Sequence, residues 1–271
     1  MNTYLYLRVE RAGPIAEVVL IGPGKGNAMG PDFWRETPAV FEELGRDPAL
    51  RAIVVRGDGG NFSYGLDLPA MAPVLAPVLT GSAADRTRLL AMIGELQRSV
   101  QVVAACPKPV IAAVAGWCIG GGLDFVAACD VRLCSQNARF SLREVKVAMV
   151  ADLGSLQRLP RIIGEGNTRE LAFTGKNIDA ARALRIGLVN EVFETEEALL
   201  AAARGMAAEI AESSPLVVAG IKTVLNDGVA PAVADGLRRV ALWNAAFLPS
   251  EDLSEALTAF MESRPPKFTG Q

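Results

Sequence analysis

Apolar and polar positions alternate between two spacings along the chain. Glu17 to Ile21 and Ala52 to Arg56 are short β-branched runs that end in glycine-containing turns, which predicts strands; between them, Asp32 to Gly45 repeats its apolar residues at helical spacing. Arg86 to Ala105 predicts a helix leading into a third strand, Pro109 to Ala115. Gly121 to Ala128 then reads as a helix, with Val131 to Cys134 and Arg139 to Leu142 as short strands. Strands alternating with helices imply a layered α/β fold. From Ile178 onward the pattern changes to successive amphipathic helices punctuated by Gly and Pro: Asp179 to Gly187, Glu196 to Ser214, Pro215 to Gly228 and Pro231 to Phe247. The expected division is a core over residues 1–195 that carries the site and a helical region over 196–271. Leu68 to Ala84, rich in Pro and Ala, is expected to be a loop beside that site.

Composition narrows the chemistry. With 271 residues and 51% apolar content the chain can bury one substantial core. Its 27 basic and 30 acidic residues give a net charge of -3, which offers no bulk field for nucleic acid or anionic lipid. The longest apolar stretch, Pro109 to Leu123, is interrupted by Gly116 and by Gly120 to Gly122 and is too short to span a bilayer. The opening MNTYLYLRVE lacks the layout of a secretory or transit signal and PPKFTGQ is not a peroxisomal address, so a cytoplasmic protein is expected. Cys106, Cys118, Cys129 and Cys134 form no CxxC pair and read as reduced, mostly buried thiols. The chain contains no histidine, which removes Ser-His-Asp and Cys-His catalysis and histidine-ligated metals. Carboxylates are left as the natural acid/base groups.

Three constellations could carry that chemistry. Asn61 to Leu68 (NFSYGLDL) follows a strand and places a glycine where the backbone could approach a ligand, although read alone it is an ordinary tight turn. Gly116 to Phe125 (GWCIGGGLDF) runs from an apolar strand through glycines into a helix; it fits an anion site at the helix start and close helix-to-sheet packing equally well. It does not match the dinucleotide pattern GxGxxG. Taken together, the two segments suggest one backbone N–H from each loop converging on a thioester oxygen, where one preorganised donor contributes about 3–4 kcal/mol to enolate formation. The third set is Asp124, Glu144 and Asp152. Singly, Asp124 and Asp152 suit helix capping and Glu144 suits a surface ion pair with Arg143 or Lys146. Gathered in a dry pocket, they would raise one another's pKa values until one is protonated while another is a base.

These residues resemble the crotonase (enoyl-CoA hydratase/isomerase) superfamily. The resemblance is carried in order by GPGKGNAMG, AIVVRGDGGNFSYGLDL, the long segment from CPKPVIAAVAGWCIGGGLDF to LGSLQRLPRIIG, and FTGKNIDAARALRIGLVNEVF. It implies an α/β crotonase (ClpP/crotonase-like) fold, a spiral of β-β-α units with a C-terminal helical region serving trimerisation, as homotrimers or hexamers. Position by position it implies that the amides of Leu66 and Gly121 form the oxyanion hole. Lys25, Ala28, Gly65, Leu66, Asp67 and Leu68, with Gly121, would then lie along an acyl-CoA substrate. Hydratases of the family are similar at only one of the three acidic positions, whereas Asp124, Glu144 and Asp152 resemble the trio of Δ3,5-Δ2,4-dienoyl-CoA isomerases, enzymes of fatty-acid β-oxidation. In that subfamily's chemistry Glu144 would take the α-proton, Asp152 would protonate the ε-carbon and Asp124 would orient them. Ala115 and Trp117 around Gly116 depart from some relatives and leave acyl-chain preference open. No metal or cofactor beyond substrate coenzyme A, no nucleic acid and no membrane is expected. The competing readings are a 2-enoyl-CoA hydratase or monoenoyl-CoA isomerase, and a non-catalytic CoA- or RNA-binding module. The last is disfavoured by the presence of all three acids and by the lack of a Lys/Arg-rich helix.

Overall fold

The computed structural model describes residues 4–271. Strands β1 (Leu7–Ala12) and β2 (Ile15–Leu20) form a hairpin, and α1 (Pro31–Arg46) crosses to β3 (Ala52–Gly57). α2 (Leu68–Leu75), a 3-10 turn (Ala76–Val78) and α3 (Ala83–Ala105) lead to β4 (Val110–Val114), β5 (Trp117–Ile119) and α4 (Gly121–Ala128). β6 (Val131–Ser135), β7 (Arg139–Ser141), a second 3-10 turn (Glu144–Val147) and α5 (Ser155–Thr174) follow. β8 (Ile178–Asp179), α6 (Ala180–Arg185) and β9 (Glu191–Phe193) precede four helices, α7 (Glu196–Glu212), α8 (Pro215–Asp227), α9 (Ala230–Phe247) and α10 (Glu251–Met261).

A six-stranded sheet has the order β1-β2-β3-β4-β6-β9 and is parallel except at the β1/β2 hairpin. A smaller sheet, β5-β7-β8, runs beside it, and the isolated bridges Ser63–Cys118 and Met29–Leu66 continue its inner line toward the N-terminus. Each turn of the chain therefore lays one strand in the large sheet, one short extended piece on the inner line, and then a helix. This is the spiral that the resemblance implied. The change of sheet between β4 and β5 happens at Gly116, whose φ of 56° and close approach to the Gly60 carbonyl, 2.2 Å from where a Cβ would stand, leave room only for glycine.

Burial on both faces explains why the central strands read as continuous apolar runs. Ile53, Val55, Ala112 and Val114 point into the main core with Phe33 and Phe41 of α1, around Phe125, whose ring centre lies 6.0–6.3 Å from those of Phe33, Phe41 and Phe62. Ala52, Val54, Ile111, Ala113 and Leu133 point the other way, onto Leu199, Ala203 and Ala207 of α7. The four cysteines are free and buried. Among the described residues no single helix is long and apolar enough to cross a membrane.

The structure corrects the expectation of a loop over Leu68 to Ala84: most of it is α2 and the 3-10 turn. Asp67 caps α2 by accepting from the Ala70 amide at 3.0 Å, and Pro69 occupies the first turn, where its missing N–H costs nothing. β1 and α10 were not anticipated either. Arg8, Glu10 and Arg11 hide the alternation of an edge strand, and α10 announces itself only through the Ser250 cap on the Leu253 amide. α5 is broken at Gly164, which has non-helical φ 78° and ψ 157°.

Asn27 fixes the entry to the site. Its amide nitrogen donates to the carbonyls of Asp58 (2.9 Å) and Asn61 (2.8 Å), its own carbonyl accepts from the Ser63 hydroxyl (2.8 Å), and it holds a left-handed φ of 55° that Asn tolerates better than most residues. Asn27→Ala is expected to lower stability by about 2–3 kcal/mol in urea unfolding, because buried carbonyls lose their donor. A loss under 0.5 kcal/mol, roughly the level of a neutral surface change, would show that the turn holds without it.

Candidate active site

The site begins at a contact between two backbones. The Asn61–Leu68 turn meets the β5–α4 junction so closely that a Cβ on Gly65 would lie 2.7 Å from the Ile119 carbonyl oxygen and 3.0 Å from the Gly121 nitrogen. Gly65 also has φ 76°, a left-handed conformation that glycine adopts without strain. The contact is held by Ser63 donating its amide to Trp117 O (2.9 Å) and by Ile119 donating back to Ser63 O (3.0 Å). On the other side, Met29 donates to Gly65 O (2.7 Å) and Asp67 donates to Met29 O (3.0 Å). The amides of Leu66 and Gly121 donate to no protein acceptor among the described residues. Gly121 opens α4, so its free N–H also carries the positive end of the helix dipole.

The predicted residues along this seam are brought together. Ala28 is buried, the Gly24 loop packs on the Asp67 carboxylate, and Leu68 starts α2. Lys25 stands outside, exposed, with its ammonium 6.0 Å from the centre of the Tyr64 ring. Met29, Trp34 and Leu153 come within 3.3–3.7 Å of where a Gly121 Cβ would be, so the back of the pocket is apolar.

All three acids enter the same dry region. Asp124, in the first turn of α4, is 1% exposed; its Oδ1 accepts from the Ser155 amide at 2.6 Å, while Oδ2 has no donor. It thus caps α5, a helix other than its own. Glu144, at the second 3-10 turn, has a buried Oε2 without a donor, and its Oε1 lies 3.4 Å from where a Gly120 Cβ would be. Burial pushes the Glu144 carboxyl well above the ordinary range, and the negative charge of Asp124 and then that of Asp152 push it further. Asp124 is also raised by burial, opposed chiefly by its bonds from Ser155. The two carboxyls thus lie close enough for each to bias the proton affinity of the other. Burial lifts Asp152 to about 7, against the pull of a hydrogen bond from Asn244.

That hydrogen bond belongs to a clamp that sequence reasoning missed. Asn244 of α9 donates to Asp152 Oδ2 (2.7 Å) and to Val150 O (2.8 Å); Gln97 of α3 donates to Asp152 O (2.8 Å) and Leu237 O (3.0 Å). The available signal was an amide at an apolar helical position: Gln97 between Ile93 and Val100, and Asn244 after Leu237 and Val240. Among the described residues no group of three Cys, Asp or Glu side chains is arranged to hold a metal ion. The arrangement offers two amides free of protein acceptors and three acids whose proton affinities are all raised by burial. Such a set can move protons on a substrate whose oxygen is held at the amides.

Comparison with known proteins identifies the family. A family model described as enoyl-CoA hydratase/isomerase matches residues 10–271. The chain is 44% identical over 99% of its length to a mitochondrial Δ(3,5)-Δ(2,4)-dienoyl-CoA isomerase of Dictyostelium discoideum, covering 92% of that protein. It is 38% identical over 99% of its length to the peroxisomal protein of the same name from Arabidopsis thaliana, covering 98% of that protein. An enoyl-CoA hydratase structure from Mycobacterium avium subsp. paratuberculosis superposes with a TM-score of 0.85 at 26% identity, over 98% of this chain and 100% of that one. The chain belongs to the enoyl-CoA hydratase/isomerase family. The compartments of these relatives, mitochondrion and peroxisome, overturn the expectation of a cytoplasmic protein. That expectation leaned on reading no targeting pattern in MNTYLYLRVE or PPKFTGQ.

A carboxyl whose pKa is higher folded than unfolded binds its proton more tightly in the native state. Its contribution favours folding at low pH and is lost as pH rises from the unfolded value near 4 to the folded value of about 7 for Asp152. Asp152→Asn is therefore expected to be more stable than the parent at pH 8, by about 1–3 kcal/mol, with the difference shrinking toward pH 4. Urea unfolding across that range measures it; a difference that does not vary with pH would show that Asp152 is not buried as a neutral acid.

Proposed function

We propose that this chain isomerises 3,5-dienoyl-CoA thioesters to 2,4-dienoyl-CoA thioesters, moving protons between the two ends of a conjugated chain. The observation that carries the reading is that Glu144 and Asp152, held by different elements, both have carboxyls pushed upward by burial, with Glu144 against the glycine turn that leads into the free Gly121 amide. The naming of the dienoyl-CoA isomerase relatives supports it.

The thioester oxygen lies against the amides of Leu66 and Gly121, with the coenzyme A portion along Lys25, Ala28 and Gly65 to Leu68. Glu144, as the anion, takes the α-proton; the C–H electron pair moves through the diene and onto the thioester oxygen, where the two amides stabilise the charge. The pair then returns along the chain as the ε-carbon takes a proton from Asp152. Glu144 ends protonated and Asp152 ionised, so the balance closes when one proton passes back between them. Asp124 holds Glu144 in place and, through Ser155, anchors it to α5. A single carboxylate could not reach both ends of a flat diene, and two on opposite ends can. Coenzyme A comes with the substrate and no separate cofactor takes part. Such a step serves fatty-acid β-oxidation.

The reading includes assembly as a homotrimer or hexamer. α8, α9 and α10 expose Leu216 (82%), Val224, Trp243, Phe247 and Met261 (76%), large apolar side chains that a second and third copy would cover. Sedimentation equilibrium is expected to give three or six times 28.6 kDa; a monomer at micromolar concentration refutes this part.

The reaction is tested with 3,5-octadienoyl-CoA, following growth of the 2,4-diene absorbance. Asp152→Asn is expected to lower that rate by about 100-fold or more while leaving coenzyme A binding intact. No diene signal alongside brisk hydration of crotonyl-CoA would place the protein among the hydratases instead.

A further inference from the structure

Among the described residues Asn244 is the one side chain that donates directly to the Asp152 carboxyl, and its geometry allows it a single orientation. It lies on α9, 3% exposed, on the face that also buries Val240 and Ala241. Its Nδ2 stands 2.8 Å from Val150 O and 2.7 Å from Asp152 Oδ2, so both N–H bonds of the amide are engaged. Turning the amide over would set its oxygen against Val150 O, which can only accept. The nitrogen is thus fixed on this side by a partner outside the carboxyl. The backbone of the same loop is held as well: Gln97 Nε2 donates to Asp152 O at 2.8 Å and to Leu237 O at 3.0 Å, which ties the loop to α9 from α3.

A neutral carboxyl has one oxygen that donates and one that accepts. Against a fixed donor the accepting oxygen must be Oδ2, because a proton there would meet the N–H of Asn244 head to head. The proton is left to Oδ1. When Oδ1 gives it up, Asn244 is still bonded to Oδ2 and holds the anion without rearrangement. The titratable groups that act on Asp152 are themselves acids, Asp124 of α4 and Glu144 of the second 3-10 turn. Neighbouring cations are engaged elsewhere. On α9, Arg238 and Arg239 pair with Asp235; on α3, Arg88 pairs with Asp85 and Arg98 with Glu42; Arg158 of α5 donates to Gln101.

We propose that Asn244 is a positioning residue that keeps Oδ2 of Asp152 as the accepting oxygen, so that Oδ1 carries the proton delivered to the ε-carbon. The delivery rests on the proposed isomerisation; the choice of oxygen does not.

That choice is read without substrate. In neutron diffraction from crystals of the parent protein in heavy water, held below the folded value of about 7, a deuteron is expected on Asp152 Oδ1. The two deuterons of Asn244 Nδ2 are expected on the lines to Val150 O and Asp152 Oδ2. A deuteron on Oδ2, or on neither oxygen, would overturn the proposal, and this arm needs no variant to fold. In turnover of 3,5-octadienoyl-CoA, Asn244→Leu, which removes the donor at similar volume, is expected to lower kcat about 10- to 100-fold with little change in KM. Asp152 works while protonated, and the lost bond favoured its anion, so the alkaline limb of the pH profile is expected to move up by about one unit. An unchanged kcat, or a lower one with an unmoved limb, would overturn the positioning role. In an Asp152→Asn background the same substitution is expected to change the residual rate by less than about 2-fold. A loss there as large as in the parent would show that Asn244 does not act through Asp152, and would overturn the proposal as well. Absence of diene turnover in the parent would sink the reaction assignment and leave the neutron map to decide the oxygen.

Discussion

The structure depends on the distance between two pieces of backbone. At Gly65 and Ile119–Gly121 the chain passes so close to itself that even a methyl group has no place, and four backbone hydrogen bonds around Ser63 and Met29 hold that approach. Those bonds are the last rungs of the inner sheet line, so the contact is the end of the fold's own ladder. The amide that opens α4 and the amide after Gly65 are consequently neighbours, and neither can turn away without breaking rungs that the core requires. Pre-organisation of this kind matters because donors already fixed in place need no reorganisation when charge develops.

What fills the space beside the seam follows from the same geometry. Met29, Trp34 and Leu153 close its back, and the absence of polar surface there makes ionised carboxylates costly. Asp124 meets this cost by accepting from the N-terminus of α5, so an acid that looks like a helix cap is one, but for the next helix along the chain. Glu144, whose Oε2 has no donor, is pushed well up by burial and by the neighbouring acids; Asp152, with the donor Asn244, is lifted to about 7. Three acids of one chemical type thereby sit in different surroundings, one on the start of a helix, one on a side-chain amide and one with a carboxyl oxygen left without a donor, and differing surroundings are the condition for one to give a proton while another takes it.

Strands, the glycine seam and the acidic trio were legible in the sequence because each is written in consecutive residues: β-branched runs, GWCIGGGLDF, and acids at element boundaries. The spiral itself came through resemblance, since runs and turns specify strands without saying which strands lie side by side. Leu68 to Ala84 was misread because Pro and Ala suggested a loop, while the decisive signal was one residue earlier, in Asp67 as a cap with Pro69 behind it. Asn244 and Gln97 escaped for another reason. Asn244 is 92 residues from the Asp152 side chain it holds and Gln97 is 55 from its backbone, and a buried amide in an amphipathic helix names no partner until the helix is docked.

α9 joins the site to the outer surface, and this gives the exposed apolar residues a meaning beyond solubility. One face of the helix buries Val240, Ala241 and Asn244 against the core, and from there Asn244 fixes Asp152. The flank of that face carries Trp243 and Phe247, whose ring centres lie 4.6 Å apart and which are more than half exposed. Asp152 therefore takes a side-chain donor from a helix whose flank reaches the exposed apolar surface, so a change in how α9 packs acts on the surroundings of that carboxyl through one hydrogen bond.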